Sequence, residues 1–253
     1  MGLTTQEKHG FLRDGLVIKR AAVRATLITR ARALIDEWCR ESMDPALIGQ
    51  YTQRTFAPEL GGHPDLLALF TDSGAAQLAG ELCGEFQPVT TVQVQIRLPE
   101  GDLMTAQPVK AMHVDGVACP HLDPQELRTF SLLVGVVLSD ITDTRGGALR
   151  YQPGGHLEMS QWFRDEWTSG ITDQVPPEID ARGGTPFLGT PGDLLLMHHL
   201  VPHAVGGNAG TEPRVMAYFR VSHIHHAERR IQALQNPWLD YPPLSALMPE
   251  GTA

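Results

Sequence analysis

The residue types best suited to chemistry lie in the short segment MHVDG. His113 and Asp115 are separated by one residue, so in an extended chain their side chains project to the same side and can reach one ion. A catalytic metal needs a third protein ligand. The natural place to look for it is residues 196–208, LMHHLVPHAVGGN, where a histidine-rich segment begins at the end of an apolar run. The sequence therefore predicts a metal site built from two distant segments.

The ligand types favour iron over zinc. Two histidines and one carboxylate on one face of Fe(II) leave open positions for a cosubstrate and for oxygen, whereas structural zinc sites are rich in thiolates. The three cysteines, Cys39, Cys83 and Cys119, match no zinc spacing, and their odd number fits a reducing cytoplasm better than a disulfide framework. Arg214 opens the alternating segment RVMAYFRV and can hold a small-molecule carboxylate with two parallel hydrogen bonds.

Helical patterns are concentrated in the first third of the chain. Thr4 and Glu7 have the spacing of a capping box before a short helix. Apolar residues at helical spacing, with arginines between them, predict a surface helix over residues 21–40. Residues 44–63 read as irregular because they are rich in proline, glycine and polar groups. The apolar segment that follows predicts one or two helices separated near Ser73.

Short strand patterns dominate from residue 89 onward. Apolar and polar side chains alternate in residues 92–98, which predicts a strand with one apolar and one polar face. Residues 131–141 form an almost unbroken apolar run that suits a buried strand, and ALRYQP, GDLLLMHH and RVMAYFRV predict three more. Short strands separated by glycine turns favour a sandwich or barrel. We therefore predict a barrel-like β core with helices packed against its outside.

The length, composition and net charge of the chain limit the classes of protein to which it can belong. A chain of 253 residues, 42% hydrophobic and 19% charged, is long enough to bury a substantial core. We predict one domain over residues 1–253, with a helix-rich part at 1–88 packed on a β core at 89–222. The net charge of −9 predicts no nucleic-acid or membrane partner, and no apolar run has the length of a membrane span. We expect a cytoplasmic protein, and the oligomeric state stays open.

A long insertion is the expected source of substrate specificity. Residues 157–188 are predicted to form a lid, because loops of this length within a compact domain are commonly binding loops. Trp162 and Trp167 are candidates to cover a substrate, although aromatic residues in a lid more often pack it against its own domain. Cys119 and His121 closely follow the HVD motif and are candidates to line the entrance to the site.

The remaining histidines have simpler interpretations. His198 and His199 precede the predicted ligand, but His203 is followed by the glycine-rich turn and then, eleven residues on, by Arg214. A second histidine-rich segment lies beyond the last core strand and is predicted to be a solvated helix start. Its histidines are His223, His225 and His226.

The order of these segments resembles a known family. HVD, then LSDITDTRGGALRYQPGGH, then HHLVPHAVGGNAGTEPR is similar to the phytanoyl-CoA dioxygenase family of Fe(II)- and 2-oxoglutarate-dependent oxygenases. The opening, HGFLRDGLVIKR followed by a longer helix, also resembles that family. The resemblance implies a mainly β fold with flanking α-helices, a double-stranded β-helix or jelly-roll of the cupin-like kind. It is weakest at residues 40–88 and in the insertion after His156.

The resemblance also implies roles for particular residues. It makes His113, Asp115 and His203 the iron ligands and Arg214 the partner of the distal carboxylate of 2-oxoglutarate. O2 is the second cosubstrate that it implies. Halogenating relatives have a small residue in place of the carboxylate ligand, so Asp115 favours hydroxylation, with desaturation or ring formation as other outcomes.

One position departs from the family pattern. Members often have a small hydroxyl residue two positions after the second histidine, where this chain has Val205. Another group must then contact the cosubstrate in place of that hydroxyl. We expect it on the polar face of the predicted strand at 92–98, which carries Gln95 and Arg97. Simple solvent exposure of these two side chains is the alternative.

The implied reaction oxidises an unactivated C–H bond of a small molecule, such as a metabolite or natural-product intermediate, with release of succinate and CO2. A cupin-like isomerase or dioxygenase that does not use 2-oxoglutarate is the first alternative. It would need the same three ligands but would have no need of Arg214. A binding module that has lost catalysis is the second alternative, and failure to bind any divalent ion would favour it.

Overall fold

A computed structural model describes residues 2–102, 107–109, 111–117, 126–171, 174 and 184–248. The helices are α1 (Thr5–Asp14), α2 (Ala25–Glu41), α3 (Ile48–Gln53), α4 (Pro64–Thr71), α5 (Ala75–Cys83), α6 (Gly155–Asp165) and α7 (Arg230–Gln235). The strands are β1 (Leu16–Lys19), β2 (Gln93–Arg97), β3 (Leu132–Val137), β4 (Leu149–Tyr151), β5 (Thr185–Pro186), β6 (Leu194–His198), β7 (His203–Val205) and β8 (Arg214–Val221). Among these residues, every helix is too short or too polar to cross a lipid bilayer.

The β-strands form two antiparallel sheets. The larger has five strands in the order β1-β6-β3-β8-β2, and the smaller has three in the order β5-β4-β7. Every strand pairing within them is antiparallel. The chain is therefore mostly antiparallel sheet with helices, as the sequence predicts.

The central strands β3 and β8 are buried on both faces, which explains their nearly unbroken apolar sequence. Leu132 and Val134 of β3 belong to a core cluster shared with the helices, whereas Leu133 and Val137 belong to a second cluster that joins the two sheets. Because side chains alternate along a strand, the same division applies to β8. Its odd-numbered residues pack on the helices, and its even-numbered residues face the second sheet.

Three helix predictions are confirmed. The Thr4 hydroxyl accepts a hydrogen bond from the Glu7 backbone N–H at 3.2 Å, and the Glu7 carboxylate accepts one from the Thr4 N–H at 2.7 Å, so the predicted capping box forms. The predicted surface helix over 21–40 is α2, which buries Leu27, Ala31 and Ile35 along one face. The two helices predicted on either side of Ser73 are α4 and α5.

The segment 44–63 differs from the irregular chain that its composition predicts. It contains α3, and Asp44 caps the short turn before it by accepting a hydrogen bond from the Ala46 N–H at 2.9 Å. A helix of six residues spans fewer than two turns, so it leaves no periodic pattern in the sequence. This helix matters below because Arg54 directly follows it.

The predicted lid begins with a helix and not with a loop. Helix α6 follows Gly154, which has a left-handed φ of 78° and offers no side-chain cap, so the Gly-Gly pair reads as a turn in the sequence. Residues 172–173 and 175–183 of the predicted lid lie outside the described part of the chain, as do Cys119 and His121.

Candidate active site

The side chains of His113, Asp115 and His203 lie together, with one donor atom from each within 4.8 Å of the others. Within the described residues, no other group of three such side chains is this close. The backbones of His113 and His203 exchange two N–H···O bonds of 3.1 and 3.0 Å. Gly116 turns the chain away at φ 78°, where an added Cβ would lie 2.3 Å from the carbonyl oxygen of Arg128. Backbone pairing and a glycine turn thus bring the two distant motifs to one point.

Backbone carbonyls fix the orientation of both imidazole rings. The Nδ1 of His113 lies 2.9 Å from the carbonyl oxygen of Ala111, and the Nδ1 of His203 lies 3.0 Å from that of Val201. A carbonyl oxygen can only accept, so each Nδ1 must carry the proton and donate. The Nε2 of each ring then presents its lone pair, which is the form that binds a metal ion.

Asp115 lies between the imidazole of His113 and the guanidinium of Arg220. Its Oδ1 is 3.5 Å from the Nε2 of His113, and its Oδ2 is 3.2 Å from the Nη2 of Arg220. Burial raises the pKa of Asp115, but contact with His113 and the charges of His203 and Arg220 outweigh burial and hold the pKa below its usual range. Burial lowers the pKa of His203, against the opposing charge of Asp115. At neutral pH the cluster therefore offers a carboxylate beside a neutral imidazole, a donor set that fits Fe(II).

Two buried arginines face each other on neighbouring strands. Arg214 of β8 is paired in register with Arg97 of β2. The Nη2 of Arg214 donates to the hydroxyl of Tyr218 at 2.9 Å, but its Nε and Nη1 have no partner within the described structure. Burial and the charge of Arg214 lower the pKa of Arg97 to about 10. Two close buried cations, of which Arg214 has two unpartnered donors, form an arrangement that an anion would complete.

One pocket connects the metal-type donors with these cations. About 600 Å³ of empty space, part of it open to solvent, is bordered by His113, Asp115, His203, Arg97 and Tyr218. Arg214 adjoins the pocket through its hydrogen bond to the Tyr218 hydroxyl. The pocket can therefore hold an ion and a small anion side by side.

The other predicted site residues divide into two groups. Gln95 lines the pocket, as does Val205 at the position where relatives often carry a hydroxyl. Trp162 is buried in an apolar cluster with Phe163, and Trp167 packs against that cluster. Neither tryptophan borders the pocket within the described residues.

Sequence reasoning missed two groups of pocket residues. Tyr218 and Arg220 line the pocket, and both lie on the same face of β8 as Arg214. The alternation in RVMAYFRV was the signal that could have found them, because residues two and four positions apart on a strand share a face. Arg54 and Gln93 also line the pocket. Gln93 had the same signal on β2, whereas nothing in the local sequence points to Arg54.

The prediction of a solvated helix start for the second histidine-rich segment is wrong for two of its three histidines. His223 and His226 are buried, and only His225 is exposed. The Nδ1 of His226 lies 2.5 Å from a carboxylate oxygen of Asp240, which lies further along the chain and compensates the burial. His198 and His199 are buried beside this network, and the rings of His199 and His226 are 5.9 Å apart.

Comparisons with known structures support the fold. SnoK, a non-heme α-ketoglutarate-dependent carbocyclase from nogalamycin biosynthesis, is 18% identical with a TM-score of 0.61, over 87% of this chain and 83% of that one. EctD from S. alaskensis, solved with 2-oxoglutarate and 5-hydroxyectoine, is 20% identical with a TM-score of 0.64, over 88% and 77% of the two chains. HygX from Streptomyces hygroscopicus, solved with nickel and 2-oxoglutarate, is 16% identical with a TM-score of 0.56, over 88% and 87%.

The sequence comparison shows the family. No curated protein matches this chain by sequence. The profile of the phytanoyl-CoA dioxygenase (PhyH) family, however, matches residues 7–216, which include His113, Asp115, His203 and Arg214 but not Tyr218 or Arg220. The chain therefore belongs to the phytanoyl-CoA dioxygenase family.

Proposed function

We propose that this protein is an Fe(II)- and 2-oxoglutarate-dependent oxygenase that hydroxylates an unactivated C–H bond of a small metabolite or natural-product intermediate. One observation carries the proposal. The three donors His113, Asp115 and His203 share a pocket with Arg97, and the adjoining Arg214 has two buried nitrogens without a partner in the described structure. Proteins of similar fold that were solved with iron, or with nickel and 2-oxoglutarate, support it.

The protein's part in this chemistry is to bind and orient. Bound iron, with 2-oxoglutarate and O2, supplies the oxidation of the C–H bond and leaves succinate and CO2. The Nε2 atoms of His113 and His203 and a carboxylate oxygen of Asp115 would hold the ion. The carbonyls that accept from each Nδ1 keep both rings turned toward it. Leu133 and Leu149 give the same pocket part of its apolar surface.

The arginine pair suits the two ends of the cosubstrate. The Nε and Nη1 of Arg214 are each available to donate a charge-assisted hydrogen bond to the distal carboxylate, and Tyr218 orients the guanidinium. Arg97 and Gln95 offer donors to the other end of 2-oxoglutarate. Val205 contributes no hydroxyl, but its backbone carbonyl accepts a hydrogen bond from Arg97 at 3.3 Å, so this position helps to hold the second arginine.

We extend the proposal to architecture and setting. The two antiparallel sheets, joined by an apolar cluster, are the halves of a jelly-roll in one domain. The substrate is a small molecule and neither a nucleic acid nor a membrane component. Cys39 and Cys83 are free thiols, which supports a reducing cytoplasm. Desaturation, ring formation and epimerisation are other outcomes of the same site, since SnoK is a carbocyclase and SnoN an epimerase.

An anaerobic titration tests the function. Apoprotein is loaded with Fe(II) and then with 2-oxoglutarate, and the weak visible charge-transfer band of a chelated 2-oxo acid is recorded. We expect a band in the parent, none in Asp115→Ala and a large increase in the 2-oxoglutarate concentration required in Arg214→Ala. Arg13→Gln is the matched control, because Arg13 is an exposed arginine on α1. If iron binds but the parent shows no band, the isomerase or 2-oxoglutarate-independent dioxygenase takes precedence.

A further inference from the structure

The pocket carries more positive charge than the metal and cosubstrate require. Among the described residues that line it are three arginines, Arg54, Arg97 and Arg220, and a single carboxylate, Asp115. Arg214 adds a fourth guanidinium behind Tyr218. This excess stands out in a chain whose net charge is −9. A pocket of one sign within a molecule of the other attracts ligands of opposite charge.

The proposed function accounts for three of these cations. Arg97 and Arg214 are opposed in register and serve 2-oxoglutarate, and Arg220 is paired with Asp115 at 3.2 Å. Arg54 has no such assignment. Its guanidinium makes no hydrogen bond or ion pair with any described residue, and Arg54 is exposed where it lines the pocket.

Two side-chain amides of β2 hold the Arg54 backbone over the polar face of this strand. Its carbonyl oxygen accepts from the Nε2 of Gln93 at 3.1 Å and from the Nε2 of Gln95 at 3.0 Å. The next residues extend the sheet, with the Phe56 N–H donating to the Val94 carbonyl at 2.8 Å. These bonds hold the backbone of Arg54 beside the pocket that this residue lines.

The same bonds determine what Gln93 offers. Because a carbonyl oxygen can only accept, the amide nitrogen of Gln93 must face Arg54, and its amide oxygen remains as an acceptor. A cation and a hydrogen-bond acceptor thus line the same pocket. This pair complements a molecule that has a carboxylate and a nearby N–H or O–H group.

We propose that the substrate is a small carboxylic acid bearing an N–H or O–H group, with its carboxylate bound by Arg54 and its donor group bound by Gln93. This rests on the proposed function, because it assumes that 2-oxoglutarate occupies Arg97 and Arg214. A guanidinium matches a carboxylate through two parallel N–H···O bonds. Arg54 is then a residue that selects the substrate and takes no part in holding the ion or the cosubstrate.

The test measures anion binding in the loaded protein. Protein carrying Mn(II) and 2-oxoglutarate is titrated with acetate, and the transverse relaxation of the acetate methyl protons reports binding near the paramagnetic ion. We expect saturable enhancement in the parent and about tenfold weaker binding in Arg54→Gln, the loss typical of one charge-assisted contact. Arg54→Lys is expected to lie between them. Arg13→Gln, which removes an exposed arginine on α1, is expected to match the parent.

Acetamide and methylphosphonate complete the design. Acetamide has the shape of acetate without its charge and is expected to show little enhancement, and the doubly charged methylphosphonate is expected to bind no better than acetate. The proposal is overturned if acetate gives no enhancement in the parent, if it binds Arg54→Gln as well as the parent, or if either other probe binds more tightly. Acetate bound directly to the ion would persist in Arg54→Gln and belongs to the second case.

A separate readout distinguishes failure of this inference from failure of the function. The visible band of the anaerobic Fe(II) and 2-oxoglutarate complex is recorded for the parent and for Arg54→Gln. Bands of equal intensity combined with failed acetate binding contradict only the substrate class. No band in the parent contradicts the proposed function itself.

Discussion

Three buried histidines make the stability of this protein strongly dependent on pH. His156 and His198 are fully buried and His199 nearly so, and the rings of His198 and His199 are stacked with centroids 4.8 Å apart. Burial lowers the pKa of His156 to about 4 and that of His199 to about 3, and it holds the pKa of His198 well below its ordinary value. Asp14 opposes the shift of His156, and Asp240 opposes that of His199, without reversing either.

The direction of the effect follows from proton binding. An unfolded chain has histidine pKa values near ~6.5, so below that pH the unfolded state binds protons that the folded state excludes. The stabilisation is complete above about pH 6.5 and is lost as the pH falls toward the folded-state values. Below about pH 6.5, each histidine lowers the free energy of unfolding by about 1.4 kcal/mol per pH unit. Three such histidines lower it by about 4 kcal/mol per pH unit, and by about 6 kcal/mol in total at pH 5. A typical domain has only about 5–15 kcal/mol in total.

Urea unfolding of the metal-free protein at several pH values between 7.5 and 5 measures this slope. We expect the free energy of unfolding to fall by about 3–4 kcal/mol per pH unit below pH 6. This slope corresponds to the uptake of two to three protons on unfolding. His156→Gln should lower the proton uptake on unfolding by about one, because a neutral amide replaces the imidazole that gains a proton when the chain unfolds. His9→Gln is the control, since His9 is exposed on α1, and should leave the slope unchanged. A parent slope below one equivalent, or an equal effect of the two substitutions, refutes the reasoning.

Three further predictions concern single contacts. Arg220→Gln removes the bond to Asp115 and should weaken Fe(II) binding about tenfold in an anaerobic titration, the usual cost of losing a group that orients a ligand. Gly135→Ala would place a Cβ 2.9 Å from the ring of Tyr218, so it should destabilise the fold by about 1–3 kcal/mol in urea and weaken 2-oxoglutarate binding. Asp240→Asn breaks buried ion pairs and should cost about 3–5 kcal/mol in thermal unfolding while 2-oxoglutarate affinity is unchanged.

The sequence predicts the strands of the large sheet well because their patterns are local. Alternation over residues 92–98 identifies β2, and the apolar run at 131–141 identifies β3, which is buried on both faces. The HVD motif could be identified as a ligand pair for the same reason, since two residues separated by one position project to the same side of an extended chain. Each of these inferences needs only the residues within one segment.

Contacts between distant segments could not be predicted in the same way. Arg54 follows a six-residue helix. Its backbone is held at the pocket by hydrogen bonds from the side chains of Gln93 and Gln95 on β2, about forty residues later in the chain. Arg220 is recognisable as a pocket residue once β8 is aligned with its neighbours, but its pairing with Asp115 spans 105 positions. Periodicity contains no information on which strands become neighbours, so such pairs emerge only from the folded chain.

The histidines near residue 200 show why ligand choice needs the hydrogen-bond partners. His198, His199 and His203 are similar in sequence, and all three are buried. The Nε2 of His198 donates to the carbonyl of Pro237 at 2.6 Å while its Nδ1 accepts from the Leu200 N–H at 3.0 Å, so neither lone pair is free for a metal. His203 donates only through Nδ1 and keeps Nε2 open beside two other donors. The difference between His198 and His203 lies in which backbone groups meet each ring, and His199 has no second and third donor close to its Nε2 in the described structure.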